Sequence, residues 1–504
     1  MPLCRSRIGV LQATIRRDAR DISWVQLSHR LSRTSVAFDD PNLVSSAGLV
    51  PVMALADAAG LRDLADEHLT VATDRGANAG LKVGSLIAGM VAGADSIDDM
   101  AVLRHGGMGR VFRSAYAPST LGSFLRAFTF GHVRQLDAVA ARFLFGLAGL
   151  TRLLVGPDEA DVNPPLTVPV RGHALLDVDD TVIEVHGHQK QGAGFGYSRV
   201  RGLNAFLATL TIAGRGPVIV GQRLRRGACG SPRGAARLIA DAVKQARRLI
   251  GSGHPVLVRM DSAFYGRPAV HAALTGGADV SVTVRLSATI KSAIAGIEQA
   301  AWTTIEYTDA IRDQDSGTWI SRAEVAEIDF TAFAAAKRSE RVPGRLVVRR
   351  IPDANAERNK AAGQGTLFDV WRFHAFFTTT DPDLLDTVAA DKAHRHHAII
   401  EQVHADLKNS ALAHLPSGKF TANAAWLVLA VIAFNLTRAA ATLADPQLAR
   451  ATTATIRRKL ITIPARVASS ARRITMHLPR GWPWEKALTN LIDRVADPPQ
   501  PTTP

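Results

Sequence analysis

The chain has 504 residues, too many for a single hydrophobic core, so about three domains are expected. Hydrophobic residues make up 47% and charged residues 21%, the balance of a folded globular protein. The 60 Lys and Arg outnumber the 45 Asp and Glu to give a formal charge of +15, which favours a polyanionic partner, nucleic acid first. The two cysteines, Cys4 and Cys229, exclude a disulfide framework or a four-cysteine zinc site and suit a reducing cytoplasm.

Residues 1–35 carry Arg5, Arg7, Arg16, Arg17 and Arg20 without a long apolar stretch, so they read as a loose extension and not as a secretory signal. Residues 36–156 are helical by pattern: Leu55, Ala58, Leu61 and Ala65 recur at helix spacing, Ser96 stands at an N-cap before an amphipathic run, and Pro118 opens a third segment. Short helices joined by Gly-rich turns form either a helix-turn-helix DNA-binding unit or a plain bundle. Pro157 to Pro169 is a linker by composition. Residues 170–300 alternate strands (Ala174 to Val185, Ala205 to Ala213, Val256 to Met260) with a helix from Leu238 to Ile250, an α/β arrangement. Residues 301–386 turn mainly β, with short alternating stretches at Thr303, Ala323, Arg345 and Trp371. Helical periodicity returns over residues 387–445, where the apolar run Ala424 to Phe434 is too short to span a bilayer and reads as a buried helix; no membrane partner is expected. Residues 446–504 form a basic, helical C-terminal region and a disordered tail. Eight basic residues and no acid lie between Asp445 and Glu485.

The chemistry concentrates in carboxylates. Asp177, Asp179 and Asp180 sit in one strand-like segment, where acidic residues are disfavoured and costly if buried alone. Alternation puts Asp177 and Asp179 on one face and Asp180 on the other, and Asp261 closes a second apolar strand. If neighbouring strands end level, Asp179 and Asp261 converge. Around Glu401, a stripe of Ile400, Val403, Leu407 and Ala411 marks the buried side of a helix, with His394, His397, Glu401, His404 and Lys408 on an adjoining face. Asp179, Asp261 and Glu401 offer hard oxygen ligands suited to Mg²⁺ or Mn²⁺. Two such ions about 4 Å apart serve phosphoryl transfer, and Lys408 is placed to hold a DNA phosphate.

The segments LLDVDDTVIEVHGHQKQGAGFGYSRVRGLNAFLATL, VRMDSAFYG and HRHHAIIEQVHADLKNSALAHLPSGKFTANAAWLVLAVIAFNL resemble the DDE transposases of bacterial insertion sequences, with insertion-sequence family 1380 the nearest group. The stretches APSTLGSFLRAFTFGHVRQL and HLPRGWPW look like the same group. The resemblance implies an RNase H-like catalytic core interrupted by a mainly β insertion domain, with a helical N-terminal DNA-binding domain. It selects Asp179, two residues before Thr181; Asp261, before Ser-x-Phe; and Glu401, followed seven residues on by Lys408. Related transposases carry Tyr seven and Arg four residues before the Glu, where this chain has His394 and His397; Arg395 is the candidate replacement cation. The resemblance implies that the insertion domain offers an aromatic wedge to DNA, with Trp302, Trp319 and Trp371 as candidates, although a core role suits each better. Tyr197 and Arg201 are candidate DNA neighbours.

The expected function is therefore Mg²⁺-dependent cleavage and strand transfer at the terminal inverted repeats of a mobile element, with double-stranded DNA as partner and a dimer in the DNA complex. Two alternatives remain. Asp177-Val-Asp-Asp-Thr also fits a haloacid dehalogenase-like phosphatase with Asp177 as nucleophile, and a catalytically inactive DNA-binding relative would share the same pattern.

Overall fold

A computed structural model describes the backbone of residues 30–72, 74–154, 172–187, 189–312, 319–352, 371–471 and 473–497, with the side chains of residues 31 and 307–321 left out. The expected linker at 157–169, most of the expected N-terminal extension and the tail lie outside these residues. The chain divides after Pro41, before which a single 3-10 turn, Leu31–Arg33, is described; residues 42–504 form one compact unit.

That unit opens with a short strand, β1 (Leu43–Val44), and the helices α1 (Leu49–Ala58), α2 (Leu61–His68), α3 (Ala79–Ala92), α4 (Pro118–Arg126) and α5 (Phe130–Leu150). Pro118 sits at the first turn of α4, where its missing N–H costs nothing. Thr129 and His132 form a reciprocal cap on α5. The run after Ser96 forms a 3-10 helix, Asp98–Leu103, instead of an α-helix; Ser96 Oγ donates to Asp99 (2.7 Å) and accepts from the Asp99 N–H.

The central sheet contains β2 (Ala174–Glu184), β3 (Gly194–Phe195), β4 (Arg201–Thr211), β5 (Val218–Arg226), β6 (Val256–Met260) and β7 (Asp279–Thr283). Helices α6 (Ala235–Ile250), α7 (Arg267–Thr275) and α8 (Ala288–Ala295) alternate with the later strands. Four further strands, β8 (Thr303–Arg312), β9 (Trp319–Ala332), β10 (Val342–Pro352) and β11 (Trp371–Thr378), form an antiparallel meander that joins the same sheet through β11 and β7. The strand order is β3-β4-β2-β6-β7-β11-β10-β9-β8, with β5 paired to β4. β2 runs parallel to β6 and antiparallel to β4.

The chain then forms α9 (Thr387–Arg395), a 3-10 turn (His396–Ala398), α10 (Ile399–Lys408), α11 (Phe420–Ala444) and α12 (Glu485–Ala496). The apolar run seen in the sequence is only part of α11, because the helix continues through Asn435, Thr437 and Arg438, whose side chains hydrogen-bond to Ile219, Ala433 and Asp406. Asn435 accepts from the Ile219 N–H and donates to the Ile219 carbonyl, both at 2.9 Å, and so continues the β5 pairing with a side chain. α11 is long and apolar enough to cross a membrane, but its apolar window is wholly buried in the protein, between α3 and α5 on one side and β5 on the other.

The basic C-terminal stretch differs from the helical expectation. It contains a hairpin of β12 (Ala465–Ser470) and β13 (Arg473–His477), with β1 on the outer edge of β12. Ala465 and Val467 are buried while Arg466 and Ala468 are exposed, a two-residue period that suits a strand and not a helix.

One buried ion pair ties the sheet to the α9–α10 corner. Arg259 on β6 and Asp177 on β2 are register partners, and both are fully buried. Arg259 donates two parallel hydrogen bonds to Asp177, each 2.7 Å, and further bonds to the carbonyls of Ala393 and His396. Beside it, the His394 ring stacks on Phe376 (4.1 Å between centroids) and bonds to Ser281 and Thr283 on β7. The 3-10 turn makes this possible: it bends the chain so that His394 leaves the face it was expected to share with Glu401 and enters the sheet.

Two outcomes follow. Arg259→Met leaves Asp177 buried and unpaired, so urea denaturation should show a loss of about 3–5 kcal/mol, whereas the double variant Arg259→Met/Asp177→Leu should recover most of it; a single variant as stable as the wild type contradicts the pairing. Burial, with His397 and Arg259 nearby, holds His394 well below its ordinary value. The unfolded chain therefore takes up that proton first as pH falls through about 6.5, so stability should drop from pH 7 to pH 5. His394→Gln should lose less over the same interval in thermal melts, and an unchanged slope would show that His394 is not buried neutral.

Candidate functional site

Strand register brings the first two carboxylates together. Val178 on β2 is paired with Met260 on β6, so the next residues, Asp179 and Asp261, stand level where β6 ends and β2 runs on beside β4. Asp261 leaves the strand and its Oδ1 accepts the Ala263 N–H (3.0 Å), which turns the chain away and fixes the carboxylate at the strand end. Burial, together with Asp261 and Asp180 nearby, pushes Asp179 up to about 7 against the pull of the Asp180 N–H and His397. Burial raises Asp261 as well. Two half-buried carboxylates that resist losing their protons in the free protein form a site that a cation would stabilise.

Alternation along β2 sorts its other acids. Asp177 shares the Asp179 face, but Arg259 and His397 (Nδ1 to Oδ1, 2.8 Å) hold it below the usual carboxylate range despite complete burial. A carboxylate with no exposed surface and both oxygens engaged cannot act as a nucleophile, so the structure gives the phosphatase alternative no attacking group. Asp180 faces the other way, into Asn204 (2.6 Å), Ser231 (2.9 Å) and Arg225.

Helix α10 packs on β2 and meets this face. Its buried stripe is the expected one: Ile400, Val403, Leu407 and, just beyond the helix, Ala411 are at most 4% exposed. His404 is buried with Nε2 3.6 Å from Asp179 Oδ2, and burial takes its ring down to about 3. Lys408 donates to Thr181 Oγ1 (2.6 Å) and lies in the field of Asp179. Glu401 lies between His397 and His404 along this edge of the helix and is exposed to solvent. Among the described residues, no three His, Cys, Asp or Glu side chains stand close enough to hold a metal ion. The two aspartates thus converge, and Glu401 does not join them in a three-carboxylate cluster.

Tyr197 is 79% exposed, and partial desolvation with the charges of Asp180, Asp179 and Asp261 raises its pKa. Its loop is packed through bare backbone: a Cβ on Gly227 would meet the carbonyls of Gly202 and Gly194 at 2.0 and 2.4 Å. Tyr197, Thr181, Lys190, Lys408, His186 and His414 line a groove of about 520 Å³ beside the aspartates. Arg201 instead braces the loop after β2, donating to the Gly187 carbonyl at 2.7 Å.

The structure places two groups of expected DNA contacts elsewhere. Arg395 is held by Asp391 (2.8 Å) and lines a different cavity, whereas His397, bonded to Asp177, stands near Asp179. Trp302 and Trp371 sandwich the buried Arg350 guanidinium, at 4.1 and 4.5 Å, and are not available as wedges. Trp319 opens β9, and its side chain lies outside the described residues. The residue that the sequence reading missed is Arg259. Its signal was an arginine inside the apolar run VLVRM, which a buried strand tolerates only opposite an acid.

No curated protein matches the sequence significantly. The family model for transposase DDE domain group 1 matches residues 28–500, nearly the whole length. The chain belongs to the DDE transposase family, group 1.

Proposed function

We propose that this transposase cuts the ends of its element and joins them to target DNA by cut-and-paste transposition, using Asp179, Asp261 and Glu401 as its catalytic carboxylates. The observation that carries the reading is the level placement of Asp179 and Asp261 on adjacent parallel strands, beneath the helix that bears Glu401 and Lys408. A parallel β2–β6–β7 centre with antiparallel strands beside β2 is in keeping with an RNase H-like core, and β8–β11 occupy the place of the insertion between Asp261 and Glu401. The affinity to insertion-sequence family 1380 belongs to the same proposal.

The donor set fits a divalent cation of the Mg²⁺ or Mn²⁺ type: hard carboxylate oxygens, two of them already convergent and raised in pKa. Asp179 and Asp261, with Glu401, would hold such ions, which when bound supply Lewis-acid polarisation and charge neutralisation at a phosphate. Lys408, fixed by Thr181, would hold a non-reacting phosphate oxygen, and Tyr197 would border the DNA strand at the mouth of the groove. His397 keeps its Nδ1 on Asp177, beside Asp179 and Asp261, and would orient the pair without entering the chemistry. The helices of residues 36–156 would engage the terminal inverted repeats, and two copies would bring two ends together.

Arg450, Arg458, Arg466, Arg473 and Arg480 are exposed on the basic C-terminal region, which would follow the DNA backbone. Affinity for element-end DNA should then fall roughly tenfold between 50 and 200 mM salt for every two phosphates neutralised. Arg466→Gln/Arg473→Gln should flatten that slope by about two, and a salt-independent affinity would remove this surface from the DNA.

Cleavage of labelled element-end DNA in Mg²⁺ tests the carboxylates. Asp179→Asn, Asp261→Asn and Glu401→Gln should each reduce nicking by at least about 100-fold with DNA binding retained. Undiminished cleavage in Glu401→Gln would strike Glu401 from the site. A folded wild type that binds the ends but never cuts them would make the chain an inactive DNA-binding relative.

A further inference from the structure

A second cavity, of about 390 Å³, lies toward the N-terminal end of β2, between the sheet and the inner side of α10. Its wall includes Leu175 of β2, Val403 and Asp406 of α10, and Arg438 of α11. None of the proposed catalytic carboxylates lines it, and the volume is in the range of small-molecule sites.

Buried polar groups without a protein partner gather here. Nine such side-chain atoms occur among the described residues, and four belong to residues lining this cavity: both ring nitrogens of His173, Thr211 Oγ1 and Arg438 Nε. The His173 and Arg438 side chains are 1% and 5% exposed, so bulk solvent does not reach them freely. Groups of this kind are costly when left unpaired, and clustering at one cavity favours a polar occupant.

The charge of the lining decides the sign of that occupant. Arg215, Arg395 and Arg450 line the cavity with Arg438, and Arg450 is exposed. Two of these arginines are themselves committed to acids: Arg438 bonds Asp406 (3.0 Å), which also accepts the Thr453 N–H, and Arg395 bonds Asp391, while Asp279 Oδ2 stands 3.6 Å from His173 Nε2. The remaining wall is apolar, with Ile212, Pro217 and Ile399. The unpartnered Arg438 Nε–H and the exposed Arg450 fork beside an apolar wall suit a phosphate carried on a compact organic body.

We propose that this cavity binds a small organic phosphate, at a site separate from the DNA-cleaving carboxylates. The reading does not depend on the DNA chemistry proposed above. Because Arg259 and His396 form part of the wall, an occupant would lie directly behind the ion pair that holds the α9–α10 corner, and its binding would stabilise the fold.

Isothermal titration of the full chain with adenosine monophosphate, inorganic phosphate and adenosine tests this. The monophosphate should bind saturably at one site and raise the melting temperature, inorganic phosphate should bind more weakly at the same site, and adenosine should not bind measurably. Arg450→Gln and Thr211→Val should each fold normally and weaken the monophosphate, Arg450→Gln by about tenfold, while Asp179→Asn and Lys408→Gln leave it unchanged. Absence of saturable binding by either phosphate overturns the proposal. Binding unaffected by Arg450→Gln and Thr211→Val overturns it too, as does binding abolished by Lys408→Gln, which would place the anion in the DNA groove.

Discussion

Arg259 and Asp177 are both sealed from solvent, and together they join two strands and a helical corner at a single point. A lone buried ion costs several kcal/mol, and even a well-formed pair gives little net stability. What the pair contributes is position. The guanidinium has a fixed planar geometry, so once two of its donors are committed to Asp177, the others dictate where the Ala393 and His396 carbonyls must lie. Those carbonyls end one helix and begin the turn into the next. The placement of α10 on the face of β2 is therefore set from within the sheet.

The electrostatics of the site follow from that arrangement. Asp177 takes up the Arg259 guanidinium and the His397 Nδ1, so the Arg259 charge relieves neither Asp179 nor Asp261. Two residues along the strand, Asp179 keeps a partly buried carboxyl beside a second acid, with His404 neutral and outside hydrogen-bond distance. Lys408, the nearest lysine on the helix, is committed to Thr181. The fold thus holds negative charge together where β6 ends beside β2, and among the described residues no Lys or Arg salt bridge neutralises it. That is an unfavourable arrangement for a structural network and a suitable one for binding a cation next to a phosphodiester.

Much of this was legible in the sequence, for identifiable reasons. β2 and β6 announce themselves as β-branched, apolar runs, and strand alternation alone separates Asp177 and Asp179 from Asp180. The buried stripe of α10 is readable because helix period and burial coincide. Other features depend on tertiary geometry. The turn at His396–Ala398 interrupts what reads as one helix, carries His394 into the sheet and leaves Arg395 with Asp391; neither outcome has a local signal. The meander β8–β11 reads as a β-rich segment, but its continuity with the central sheet rests on one short pairing between β7 and β11. The hairpin β12–β13 was obscured by its arginines, since charge count outweighed a two-residue burial period. Glu401 was legible as a helix residue, while its separation from the aspartates in the free protein was not.

The account turns on whether the aspartate pair and the helix glutamate together hold a divalent ion. Titration of the full chain with Mn²⁺, followed by loss of the free-ion electron paramagnetic resonance signal, measures this directly. Saturable uptake by the wild type, lost in Asp179→Asn and Asp261→Asn and clearly weakened in Glu401→Gln, is the predicted result. Uptake that is equal in all four proteins would contradict the account, because the ion would then be bound elsewhere and the convergence of the two aspartates would serve no metal.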